Sequence, residues 1–161
     1  MVDNAHLLDI SSMKQMLHRL HTGRGRIAEV VLSFVVLTVG GLIYVGYRDK
    51  SLLMFRWFEN LGISNEVDTF REFVNSGGIY GWVKYCLPDG LWLFAYMFLI
   101  GSIWGESKSW RSYVFLYSLP IVALISEILQ YFGILPGTFD WMDIASYLSA
   151  ILLYETIKIL K

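Results

Sequence analysis

Charge is what this chain has least of. Charged residues make up 17% of its 161 positions, against about 25% in an average soluble domain. Cysteine is reduced to one, Cys86. That excludes an internal disulfide and any metal site built on cysteine pairs. The three histidines, His6, His18 and His21, all lie near the N-terminus. His18 and His21 have ligand spacing but no third ligand nearby, so no metal site is assigned. No histidine accompanies Ser102, Ser118 or Ser126 to activate a nucleophile. Walker, dinucleotide-binding and H-E-x-x-H patterns are absent, and a net charge of −1 gives no reason to expect a nucleic-acid partner. The first residues lack the pattern of a secretory signal peptide.

What is present is apolar and aromatic. Hydrophobic residues reach 55% and aromatics 16%, with a mean hydropathy of +0.50. The apolar runs have the length of bilayer-crossing helices, about 20 residues for a hydrocarbon core of about 30 Å. They predict an all-α, polytopic membrane protein with four transmembrane helices and short interfacial helices. Residues 1–25 read as an amphipathic segment: Leu7, Leu8, Met13, Met16, Leu17 and Leu20 recur at helical spacing. Residues 26–161 form a single membrane domain. Spans are expected over about 27–47, 88–104, 112–132 and 140–159. Thr22 to Arg26, glycine-rich and basic, is expected to break the helix before the first span. Gly40-Gly41 offers a close approach to another helix. The connection 48–87 holds two or three short helices rich in Phe and Trp, suited to the membrane–water boundary, with Ser64 or Asn65 as one cap. Lys14, Arg19, Arg24, Arg26, Lys108, Arg111, Lys158 and Lys161 would lie on one side of this topology. Arg48, Lys50, Arg56, Arg71 and Lys84 would lie on the other. The bias puts both termini inside and 48–87 outside.

The informative residues are acids. Asp89 opens the second span, Glu127 lies deep in the third, and Asp140 and Asp143 open the fourth. All four would fall at the outer side. Helical spacing places Trp92 and Tyr96 with Asp89, Gln130 with Glu127, and Tyr147 with Asp143. Such polar stripes face the interior of a bundle, because lipid penalises them. Asp140 and Asp143 have the spacing of a helix cap, and a carboxylate at Asp89 suits a helix N-terminus. Glu127 caps nothing. Its carboxylate must be protonated, paired or solvated.

Pro88-Asp89 with Trp92 and Tyr96, then Glu127-x-x-Gln130-Tyr131-Phe132, then Phe139-Asp140-Trp141-Met142-Asp143 and Tyr147 form an ordered set. Over roughly Leu87–Ala150 it resembles the VanZ-like group of small bacterial membrane proteins, or a sister group of it. The set departs from that group's usual pattern in having no arginine between Gln130 and Asp140 and no asparagine after Asp143. The resemblance implies a multi-pass protein of the bacterial inner membrane, linked to glycopeptide-antibiotic tolerance. The residues themselves lead to an outer-facing acidic and aromatic pocket, formed by Asp89, Trp92, Tyr96, Glu127, Gln130, Asp140, Asp143 and Tyr147. It would bind a small ligand, a lipid headgroup or a cation. An accessory subunit of a membrane complex is the alternative. A membrane-embedded hydrolase or transferase on a lipid-linked substrate stands behind both, for want of a nucleophile or a metal.

Overall fold

A computed structural model describes residues 3–78, 80–105 and 109–160, with side chains from residue 25 onward. The amphipathic face and histidines of the N-terminal segment, and Lys108 and Lys161, lie outside the described residues. Among the described residues the fold is all-helical, with no strand.

The first helix, α1, runs unbroken from Asp3 to Tyr47. The break expected at Thr22–Arg26 is not there. A glycine costs a helix interior about 1 kcal/mol relative to alanine, which weakens a helix without ending it, and long helical runs on both sides carry the chain across. Three short helices follow: α2 (Leu53–Asn60), α3 (Ser64–Asn75) and α4 (Gly81–Tyr85). Ser64 does not cap α3; the cap position is Ile63, with no side-chain hydrogen bond. The long helices α5 (Leu87–Trp104), α6 (Trp110–Tyr131) and α7 (Trp141–Ile159) complete the chain.

Gly25–Tyr47 of α1, all of α5 and all of α6 are long and apolar enough to cross a membrane. This marks the chain as a membrane protein. The fourth expected span coincides with α7, which has the length, 19 residues, but carries Asp143, Glu155 and Lys158 and does not join the other three.

The packing is organised around α5, which touches α1, α6 and α7. Its inward residues Leu93, Phe94, Met97 and Phe98 build the core with Leu116 of α6 and Ala150 and Tyr154 of α7. Of its apolar window 44% is buried, against 11% for that of α1. So α5 is the centre, and α1 presents most of its surface outward. Directions follow from the contacts. Gly40 and Tyr44 of α1 lie against Trp92, and Arg26 lies against Gly105 just past α5, so α1 and α5 are antiparallel. Gly90 meets Ser146 and Gly101 meets Tyr154, so α5 and α7 run parallel. Trp104 stacks on Phe115, which turns α6 back. Consequently the C-terminal ends of α1 and α6 and the N-terminal ends of α5 and α7 share one end of the bundle. The short helices gather there too, with α3 and α4 against α1. Gly46 receives Phe70 and Val74 of α3, whereas Phe73 is exposed.

Candidate functional site

At that shared end, the chain begins α5 with Pro88 and Asp89. Proline costs nothing in the first helical turn, and the carboxylate sits where the helix dipole favours it. Asp89 faces back toward α1, with Oδ2 at 3.7 Å from the Arg48 guanidinium. Arg48 is fixed by three further contacts. It donates to the Tyr85 carbonyl at 3.1 Å, and it lies over the rings of Tyr44 and Tyr85, 5.0 and 5.4 Å from their centroids.

Glu127 is 5% exposed, although it stands near the C-terminal end of α6. It accepts a hydrogen bond from the backbone N–H of Asp140 at 3.4 Å, which ties α6 to the start of α7. Asp140 caps α7, its Oδ1 accepting from Met142 N at 2.8 Å. A reciprocal capping box would have Asp143 reach back to the Asp140 N–H. Glu127 has taken that donor, so Asp143 is left for other uses. Its Oδ1 is buried with no hydrogen-bond partner. Asp89 lies within electrostatic reach of both Asp143 and Glu127, and the Tyr147 hydroxyl is within reach of all three.

Two of the expected residues stand elsewhere. Trp92 packs on α1, its ring 5.0 Å from that of Tyr44. Tyr96 turns to α6, bonding the Phe115 carbonyl and the Ser118 hydroxyl. A helix surrounded on three sides spends one stripe on several neighbours, so the spacing that aligns these side chains does not bring them to one site. Gln130 lies beside the acids in sequence, but its amide packs against Gly137 of the α6–α7 loop.

One residue joins the site that its sequence context did not single out. The Cys86 thiol is buried and donates to Asp140 Oδ2 at 3.9 Å. Burial pushes the thiol up to about 12, and Asp143, Asp140 and Asp89 push in the same direction. Cys86, Asp140 and Asp143 can each offer one donor atom, all within 4.8 Å of one another. This mixed thiol and carboxylate set is the group of described residues able to hold a metal ion. The available clue was that Cys86 precedes Asp89 by three residues, which puts both on one helical face.

No family model, curated protein or solved structure matches the chain.

The chemistry open to the site follows from its charges. Among the described residues, Arg48 with Asp89 is the one ion pair these acids make. Glu127, Asp140 and Asp143 are thus left without a cationic partner of their own. The hydroxyls of Ser102, Ser118 and Ser126 donate to carbonyls of their own helices. Beside the acids runs an apolar groove of about 490 Å³ between α1, α5 and α7. Val36, Leu91, Phe94, Ser149 and Leu153 are among its walls, and Cys86 stands where it meets the carboxylates.

Proposed function

We propose that the chain is a four-span membrane protein whose acidic end pocket binds a positively charged group. The observation that carries this reading is the excess of carboxylate at one end of the bundle. Asp89, Glu127, Asp140 and Asp143 arrive there from three helices, and a single guanidinium answers them. Carboxylates brought together repel one another unless counter-charge stands near. A bound cation supplies it. In this reading α7 is the fourth span. Its Asp143 sits at one membrane boundary, and Glu155 and Lys158 pair at the other, 3.7 Å apart.

The cation is either a metal ion held by Cys86, Asp140 and Asp143, or an ammonium headgroup whose apolar tail lies in the neighbouring groove. Thermal unfolding of the full chain in detergent separates them. One arm uses Zn²⁺ or Mn²⁺, the other a long-chain primary amine, each with a neutral amphiphile as control. A ligand at a hundred times its Kd stabilises by about 2.7 kcal/mol. One arm is expected to raise Tm accordingly, and Asp143→Asn to abolish the rise. If neither arm raises Tm, or if the rise survives Asp143→Asn, the reading fails.

The likeness to VanZ-like proteins extends the proposal to a bacterial cytoplasmic membrane, both termini inside, and a part in tolerance of glycopeptide antibiotics. What supports it is the order Asp89, Glu127, Asp140 and Asp143 on successive helices that meet at one end.

A further inference from the structure

A second cavity at the same end is lined by basic side chains. It measures about 520 Å³, and Tyr47, Arg48, Asp49, Lys50, Arg71 and Tyr85 line it. Three cations share its lining with one carboxylate, Asp49, and two of them also pair outward, Arg48 with Asp89 and Lys50 with Asp68. The Asp49 carboxylate is already engaged by the Ser51 N–H at 2.8 Å. Each basic side chain is anchored from behind. Arg71 bonds the Val45 carbonyl and rests on the Phe55 ring at 4.9 Å. Lys50 pairs with Asp68 at 2.6 Å, yet its side chain remains 57% exposed. Arg48 uses one terminal nitrogen on Tyr85 and Asp89, while its Nε is buried with no hydrogen-bond partner. A guanidinium has five N–H donors in a fixed fork that matches the oxygens of a phosphate.

The position selects the kind of phosphate. The cavity opens directly after Tyr47, the last residue of a segment long and apolar enough to cross a bilayer. Tyr47 and Tyr85 stand on its wall, as aromatic side chains do at headgroup depth. Lys84 adds a fourth cation alongside, its Nζ 5.1 Å from the Tyr47 ring centroid. We propose that this cavity binds the phosphate group of a phospholipid headgroup, with Arg48, Lys50 and Arg71 as its donors. The site shares Arg48 with the acidic pocket, where Arg48 pairs with Asp89, while Lys50 and Arg71 belong to this cavity alone.

Native mass spectrometry of the full chain in detergent tests this, with phosphatidylglycerol and diacylglycerol offered together and inorganic phosphate as a third probe. Phosphatidylglycerol is expected to stay bound while diacylglycerol, which has the same tails and no phosphate, is lost. Lys50→Gln changes an exposed side chain and is expected to weaken retention about threefold, and Lys50→Gln with Arg71→Gln about tenfold or more. Arg56→Gln alters a cation of α2 that does not line the cavity, and should leave retention unchanged. Equal retention of the two lipids overturns the proposal, as does an equal effect of Arg56→Gln and Lys50→Gln. Inorganic phosphate displacing the lipid at matching concentration would also overturn it, by showing that the tails and the membrane position contribute nothing.

Discussion

Glu127 is buried, yet its carboxylate has a definite structural duty, because the Asp140 N–H donates to it across the α6–α7 loop. Removing the acceptor leaves a backbone donor unsatisfied, at about 1–3 kcal/mol. Glu127→Ala should therefore lower stability by that amount in thermal unfolding, while Glu127→Gln, whose amide oxygen still accepts, should lose clearly less. Equal losses would show that the charge matters and the acceptor does not. The sequence made Glu127 conspicuous for a physical reason: a carboxylate many residues into an apolar helix has no capping role to excuse it. Asp143 was harder to judge, since its spacing from Asp140 fits a cap. Only the three-dimensional arrangement shows that the cap's donor is already taken. Trp92 and Tyr96 meet α1 and α6 instead, because helical spacing gives a direction around one axis and not the identity of the neighbour met there. A lone cysteine carries no pairing signal of its own, so Cys86 joins the acids only through the fold.

Among the helices, the contact between α1 and α5 rests on one glycine of two. A Cβ added at Gly40 would lie 2.7 Å from Trp92 Nε1, whereas one at Gly41 would meet nothing within 4 Å. Overpacking of this kind costs about 1–3 kcal/mol. Gly40→Ala is expected to destabilise the protein by that amount in detergent unfolding, and Gly41→Ala to be neutral or slightly stabilising. Similar effects at both positions would mean that α1 does not approach α5 through Gly40. The adjacent pair in the sequence announced a close approach without saying which member makes it. Element boundaries were largely readable, because Pro88 and the apolar runs fix α5 and α6 within a residue or two. The continuity of α1 was not readable. Local glycine content argues for a break at Thr22–Arg26, and the helical runs on either side override it. Charge, likewise, keeps α7 from declaring itself. Asp143, Glu155 and Lys158 dilute an apolar run whose Ala150 and Tyr154 are nonetheless buried in the core.

For the molecule as a whole, the alternating directions of α1, α5, α6 and α7 put both termini on one side if all four helices cross. Single cysteines in a Cys86→Ser background test this in intact cells with a membrane-impermeant maleimide. Glu59→Cys in α2 should label from outside. Ser109→Cys, between α5 and α6, and Leu160→Cys should label only after permeabilisation. Labelling of Leu160→Cys from outside would leave three crossings and remove α7 from the membrane. The use of Cys86→Ser avoids a native thiol that is only 3% exposed. The central place of α5 also bears on the order in which the protein is made. Of the long helices, α5 is the one that α1 packs against, and residues 48–86 must be synthesised between them. At about 5–20 residues per second, α1 waits in the bilayer on the order of seconds before its partner arrives. Through that interval its Gly40 cleft and buried Ser33 face have only lipid, or the insertion machinery, to cover them.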